Sequence, residues 1–336
     1  MSAGTGLEFR VAIREAIIEE MERDESVVFF GEDIAAEQGG VFAVTPGIQE
    51  RFGAERVFDT PISELAITGA AFGAAVTGLR PIVEIMFGDF MGLAMDSLVN
   101  QSAKYWYLSR EQRSVPLVVR SAVGGGGRFG AIHSQTHASW FQGVPGLKIV
   151  FPSSPVEAKG LLKAAIRDDN PVLFLEHKRL YSIKGPAHPV PSPAEVPPLG
   201  QANVARPGSD LTIVSAGKGV PDALEAAAQL AAEDAIEAEV IDLRTLRPLD
   251  LDTALASVSR TNRLLAVEEG PATGGWAAGL LGAVAERGLH DLDDVWLLTT
   301  DELPIPYSPT LEDAFIPGPA AIASAVRERA GIVVAR

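Results

Sequence analysis

Two short stretches contain the residue types from which acid–base chemistry is built. Asp59-Thr60-Pro61-Ile62-Ser63-Glu64 ends on a carboxylate just where a helix begins, and Gly124-Gly125-Gly126-Gly127 leads into His133-Ser134-Gln135. A carboxylate in the first turn is favoured by the helix dipole. An imidazole beyond a flexible loop is a candidate acid–base group, because it titrates near neutral pH. In an open parallel sheet, ligands collect in the loops at the carboxyl ends of the strands, and both stretches follow strand-like runs. Glu64 also reads as an ordinary helix start with Ser63 as its cap. The helix after it, however, carries Gly69, Ala70, Ala71, Gly73, Ala74 and Ala75, a face with almost no bulk that lets a backbone or a flat ligand come close.

Other motifs fail on context. Gly125-Gly126-Gly127-Arg128-Phe129-Gly130 matches the dinucleotide fingerprint formally, but that motif needs a helix opening at the glycines and an acid about twenty residues on. Here the chain continues to Ile132-His133-Ser134, and no acid stands near Phe151. No Gly-Lys-Ser/Thr tripeptide of a P-loop occurs, and no Gly-x-Ser-x-Gly elbow surrounds Ser134. His133 and His137 have metal-ligand spacing on a helix, yet no acid lies between them and no third ligand is evident, so they read as one buried and one partly exposed histidine.

The elements that must position these residues alternate. A helix is expected from Leu7 to Met21. Strands are expected at Ser26–Phe30, Val57–Phe58, Pro81–Met86, Pro116–Ser121, Leu147–Phe151 and Pro171–Leu175, with helices at Glu64–Val76, Asp89–Leu108 and Ser154–Ile166. Six prolines then fall between Pro186 and Pro198 without periodicity, which fits an extended linker. Alternation resumes with strands at Leu211–Ser215, Glu239–Leu243, Leu264–Glu268 and Val295–Leu298, and helices at Pro221–Ala232, Asp250–Ser257, Gly275–Glu286 and Pro319–Arg329. Strands alternating with helices imply parallel sheets covered on both faces. The expected architecture is therefore α/β: two doubly wound domains, 1–185 and 201–336, joined by a proline-rich linker at 186–200.

Composition narrows the function classes. At 336 residues the chain exceeds the size of a usual single core. Net charge is −16, from 28 basic against 44 acidic residues, the wrong sign for phosphate backbones; nucleic acid is not an expected partner. With no Cys, disulfides, thiolate metal sites and a Cys nucleophile are excluded. No apolar run approaches a membrane span and Met1–Gly6 lacks a signal-peptide pattern, so a cytoplasmic location is expected.

Taken in order, these residues resemble the beta subunit of the decarboxylating component of 2-oxo acid dehydrogenase complexes, a family with pyruvate, branched-chain and acetoin enzymes. The matching phrases include Gly31-Glu32-Asp33, Gly39-Gly40-Val41-Phe42, Asp59 to Glu64, Gly78-Leu79-Arg80-Pro81, Pro116 to Arg120, His133-Ser134-Gln135, Pro145-Gly146-Leu147-Lys148, Asn170-Pro171-Val172 and Ile241 to Thr245. They span nearly the whole chain.

The resemblance implies two transketolase-like domains, pyrimidine-binding then C-terminal, and thiamine diphosphate as the cofactor that carries the hard chemistry. It assigns Glu64 to the carboxylate that hydrogen-bonds a pyrimidine ring nitrogen, and Ile62, Met86 and Phe90 to the aminopyrimidine pocket. His133 takes the place of the histidine that orients the substrate or donates a proton as the acyl group passes to a lipoyl sulfur. Leu117, Ala165, Asp168 and Asn170 match positions that hold a structural potassium ion in some members. The family's diphosphate and magnesium site needs a Gly-Asp-Gly motif and paired asparagines; this chain has Gly88-Asp89-Phe90 and no Asn-Asn. The expectation is that an alpha subunit supplies that half, in an assembly of two alpha and two beta subunits that docks a lipoylated acyltransferase core. Two departures stand out: Ser109-Arg110-Glu111 replaces a usual glycine pair, and Ile132 stands where many members have Gln. Phe90 and Glu176-His177-Lys178 followed by Leu180-Tyr181-Ser182 lean toward the acetoin and some pyruvate members. The rivals are a transketolase-like half-protein acting on sugar phosphates and a non-catalytic assembly subunit.

Overall fold

The computed structural model describes residues 6–185 and 196–331; the expected linker falls outside the described residues over 186–195. The chain divides into two compact units, Met1–Val123 with Trp140–Leu199, and Gly124–Ser139 with Gly200–Arg336.

In the first unit, strands β1 (Val27–Gly31), β2 (Val57–Asp59), β3 (Arg80–Phe87), β4 (Val118–Val123), β5 (Lys148–Val150) and β6 (Val172–His177) run in the order β5-β6-β4-β3-β1-β2. All their pairings are parallel. Helices α1 (Phe9–Arg23), α2 (Ile48–Phe52), α3 (Glu64–Val76), α4 (Met91–Met95), α5 (Ala103–Leu108), α6 (Ala138–Gln142) and α7 (Pro155–Arg167) connect them. Strands β1, β4 and β6 are buried at every residue, as β-branched and aromatic runs must be when both sheet faces are covered. Helix α7 is started by Ser154, whose hydroxyl accepts the Glu157 N–H at 3.3 Å, and by a proline in its first turn. Against α1 it buries Leu161, Leu162 and Ala165 in one core with Phe9, Ile13, Ile17 and Phe174. Lys159 pairs with Glu15 and Glu19, and Arg167 with Glu20, along the same seam.

The single helix expected over Asp89–Leu108 is instead a 3₁₀ turn at Gly88–Phe90, then α4, a π-helix at Asp96–Ser102, and α5. Side chains match the wider winding. Asp96 accepts from Asn100 at 2.8 Å and Gln101 at 2.9 Å, and the Ser102 hydroxyl reaches back five residues to the Ser97 carbonyl at 2.8 Å. Arg110 and Glu111 hold φ of 57° and 63°, so the segment that replaces a glycine pair keeps the left-handed backbone that glycine takes freely.

The second unit contains β7 (Asn203–Arg206), β8 (Leu211–Ser215), β9 (Ala238–Asp242), the short β10 (Thr245–Arg247), β11 (Arg263–Pro271) and β12 (Asp294–Thr300). Its five-stranded sheet has the order β12-β11-β8-β9-β7, parallel except for β7, which lies antiparallel on β9. Helices α8 (Gly219–Asp234), α9 (Leu251–Thr261), α10 (Trp276–Gly288), α11 (Pro309–Phe315) and α12 (Pro319–Ala330) cover it. Leu211, Ile213, Ala226, Leu230, Val240, Leu265, Ile322 and Val326 form its core. Both units are α/β layers of the expected kind. No helix among the described residues is long and apolar enough to cross a membrane.

Candidate active site

Three neighbouring strands of the first unit, β3-β1-β2, end side by side, and the candidate residues sit on or just beyond those ends. Met86 lies at the end of β3 and Phe90 in the turn after it, Glu32 follows β1, and Ile62 and Glu64 follow β2. The loop after β2 is tied to the loop after β1: Asp59 accepts the Ala35 N–H at 2.8 Å, and the Thr60 N–H donates to the Gly31 carbonyl at 2.8 Å.

Helix α3 begins at Glu64, as the sequence suggests, but Ser63 does not cap it. Ser63 sits at φ −164°, ψ 88°, and its side chain makes no cap bond. The Thr68 hydroxyl instead donates to the Glu64 carbonyl at 2.8 Å. The Glu64 side chain is buried, and among the described residues nothing donates to its carboxylate. Its oxygens are not among the fully buried, unpartnered side-chain atoms of the described residues, so the carboxylate stays open to a group that approaches the head of α3. Ile62 is 82 % exposed and Leu65 50 %, whereas Met86 is buried and Phe90 packs edge-on to Phe87 at 5.9 Å. An apolar groove of about 530 Å³ runs along α3 and the loop before it, lined by Phe30, Phe58, Pro61, Ser63, Ala66 and Ala70 among others; Glu64, Met86 and Phe90 do not line it.

Glu32 is a second acid at this end of the sheet, and the motif Gly31-Glu32-Asp33 gave it no role of its own. It is buried, its Oε1 has no hydrogen-bond partner, and its pKa is pushed up to about 7, first by burial and then by the charges of Glu64, Asp33 and Glu84. Burial and neighbouring like charge both favour the neutral form of a carboxyl, so Glu32 holds a proton where an exposed acid would not. The available signal was an acid immediately after a fully buried strand.

Behind Glu32 the sheet register aligns Gly31, Glu84 and Arg120 across β1, β3 and β4. A Cβ at Gly31 would meet the Glu84 carbonyl oxygen at 2.7 Å, so glycine permits this close approach. Arg120, 1 % exposed, donates to Glu84 at 2.7 Å and to both oxygens of Glu176 at 2.7 and 2.8 Å. The Tyr181 hydroxyl adds a 3.0 Å bond to Glu176. Burial pushes the Glu84 carboxyl up against the pull of Arg120.

His133 belongs to the second unit. Its loop bends without forming a helix at the glycines, which rules out a dinucleotide turn. His133 is half-buried and its backbone N–H donates to the Gly130 carbonyl at 3.4 Å. The Ser134 hydroxyl is buried without a partner. Residues 134–137 are not helical, so His133 and His137 do not share a helix face, and no metal-binding group of three or more His, Asp or Glu exists among the described residues. Ile132 is 67 % exposed.

The proposed potassium ligands are distributed over the start of β4 and the end of α7. The Leu117 carbonyl accepts the Val172 N–H at 2.8 Å, that of Ala165 the Asp168 N–H at 3.2 Å, and that of Asp168 the Arg80 guanidinium at 2.7 Å. The Asp168 side chain accepts from the Asn170 N–H at 2.8 Å and pairs with Lys148. Each carbonyl keeps a second lone pair, while Arg80 and Lys148 bring positive charge to Asp168. The carboxylate charge is already compensated, so an ion would be held by carbonyl oxygens.

Comparison with known proteins gives the class first. The profile of the transketolase pyrimidine-binding domain matches residues 5–184, and that of the transketolase C-terminal domain matches 200–322. The inactive beta tetramer of a split-gene transketolase superposes with a TM-score of 0.79 over 96 % of this chain and 98 % of that one, at 22 % identity, which establishes the fold. Among relatives, the beta subunit of acetoin:2,6-dichlorophenolindophenol oxidoreductase from Cupriavidus necator is 46 % identical, covering 96 % of this chain and 97 % of its own. The 2-oxoisovalerate dehydrogenase beta subunit of Bacillus subtilis is 45 % identical over 95 % of this chain and 97 % of its own. The beta subunit of the pyruvate dehydrogenase E1 component from Rhizobium meliloti is 43 % identical over 95 % and 68 % respectively. The chain belongs to the family of beta subunits of the decarboxylating component of 2-oxo acid dehydrogenase complexes, which are thiamine diphosphate-dependent oxidoreductases.

Proposed function

We propose that this chain, with an alpha subunit, forms half of a thiamine diphosphate site that acts on a small 2-oxo acid or acetoin and passes the acyl group to the lipoyl arm of an acyltransferase. The observation that carries the reading is the buried Glu64 carboxylate with no donor from the described residues, at the head of α3 and beside the high-pKa Glu32. When bound, thiamine diphosphate supplies the nucleophilic carbon and the electron sink. The chain's own residues do the rest on this side. Glu64 offers a carboxylate to a ring nitrogen, and the neighbouring Glu32 keeps a proton near neutral pH. Ile62, Met86 and Phe90 present apolar surface to a flat ring. His133 orients the substrate or donates a proton during acyl transfer.

The alpha subunit holds the diphosphate and magnesium, because the Gly-Asp-Gly and Asn-Asn elements are missing from this sequence. The assembly is two alpha and two beta subunits in the cytoplasm, with the division between domains at 186–200. Potassium is held by Leu117, Ala165, Asp168 and Asn170.

The test is Glu64→Gln, assembled with its alpha subunit and assayed for thiamine-dependent decarboxylation. The variant should assemble normally and lose on the order of a hundredfold or more of its turnover. Retention of more than about a tenth of the wild-type rate contradicts the role of Glu64.

A further inference from the structure

The loop that carries His133 holds an unusual backbone. Gly124, Gly126, Arg128 and Gly130 have φ of 91°, 85°, 63° and 71°. Glycine adopts this region freely, but a non-glycine residue in it is strained, and a conformation of that kind persists only when its surroundings over-determine it.

Two carboxylates of the second unit supply the constraint. Glu269, in β11, accepts the Gly125 N–H at 2.6 Å and faces the Thr136 hydroxyl at 3.5 Å, so it touches the loop both before and after His133. Glu312, in α11, is fully buried. One of its oxygens accepts the Gly126 N–H at 2.9 Å; the other accepts the Arg128 N–H at 3.2 Å and its guanidinium at 2.6 Å. The same guanidinium reaches the Pro309 carbonyl at 3.1 Å and both oxygens of Asp313 at 2.8 Å. The backbone lies so close to α11 that a Cβ on Gly125 would stand 2.5 Å from the Ile316 Cδ1. Three donors converging on one carboxylate need two acceptor oxygens. An amide offers one, and its NH₂ would face the donors of Arg128.

We propose that Glu312, acting with Glu269, is a positioning residue that latches the His133 loop in the conformation required for acyl transfer. The proposal deepens the assignment of His133 and rests on it. Glu312 acts on the reaction only through the loop: it fixes Gly126 and Arg128, which set the path of the chain to His133.

The test uses the assembled alpha–beta protein with lipoylated acceptor, in four forms: wild type, Glu312→Gln, His133→Ala and the double variant. Hydrogen exchange of the 124–139 segment should quicken roughly tenfold or more in Glu312→Gln, as expected when charge-assisted bonds are lost. Turnover should fall ten- to a hundredfold, on the order expected for a displaced catalytic group, with KM for the 2-oxo substrate unchanged. In the His133→Ala background, Glu312→Gln should reduce turnover no further. Unchanged exchange, or an equal loss of turnover with and without His133, overturns the latch. Full turnover of His133→Ala alone overturns the assignment of His133 and with it the catalytic purpose of the latch, while the exchange readout still reports separately on whether Glu312 holds the loop. If Glu312→Gln does not fold, Arg128→Gln removes the guanidinium, leaves both backbone bonds, and carries the same predicted signs.

Discussion

Glu32 makes the stability of the chain depend on pH in a direction that can be worked out in advance. Its folded pKa is about 7 against an ordinary value of 4.5, so between these values the folded state binds a proton that the unfolded state has released. Stability therefore falls as pH rises through this window; the destabilisation is absent below about 4.5 and complete above about 7. Each tenfold difference in proton affinity is worth ~1.4 kcal/mol, which for the full difference gives roughly 3 kcal/mol; water at the open end of the site screens this to about 1–2 kcal/mol. Glu32→Gln mimics the protonated acid, so its stability relative to wild type isolates this one group. In urea unfolding of the purified chain, the two proteins should be equally stable near pH 4.5, and the variant more stable by about 1–2 kcal/mol at pH 8. Burial is the largest cause of the shift and the Glu64 charge only the second, so Glu64→Gln should shrink this pH-dependent gap without abolishing it. A variant that is less stable than wild type at pH 8, or a gap that does not change with pH, would show that Glu32 is ionised and satisfied in the folded chain.

Two other perturbations test the framework behind the site. Arg120→Met leaves the Glu84 and Glu176 carboxylates buried without their shared cation and should cost on the order of 3–5 kcal/mol in the same urea assay; adding Glu84→Gln and Glu176→Gln should recover part of that loss, and a single variant as stable as wild type would mean that the cluster is not a charged network. Arg110→Gly with Glu111→Gly should be neutral or raise the thermal midpoint, because relief of two left-handed non-glycine residues, about 1–2 kcal/mol each, outweighs the usual glycine penalty of roughly 0.5–1 kcal/mol each. A lowered midpoint would contradict that reading of the loop.

What could be read from the amino-acid order was what depends on near neighbours. Helix α3 was legible because Glu64 is followed by an uninterrupted run of small and apolar helix-compatible residues, and β1 because Val27 to Phe30 leave no polar side chain to expose. β7 was not, since none of its four residues is fully buried, Val204 is exposed, and they offer no apolar alternation. The helix over Asp89–Leu108 hid its π-turn for a different reason. Its hydrophobic spacing is compatible with helix throughout, and the wider winding is paired with side-chain bonds from Asp96 and Ser102 that no periodicity reports.

The same distinction separates the two halves of the site's chemistry. The identity of the acid at position 64 is local and was visible in its motif. Its electrostatic setting is not local, because Glu32 follows β1 while Glu84, Arg120 and Glu176 come from β3, β4 and β6, and only the register of β1, β3 and β4 puts Gly31, Glu84 and Arg120 in one row. Had β3 slipped by a single residue, Glu84 would point to the opposite face, and Glu32 would lose one of the charges that raise its proton affinity. A family motif can therefore locate the carboxylate, but whether that carboxylate sits beside a proton-holding partner is decided by sheet register.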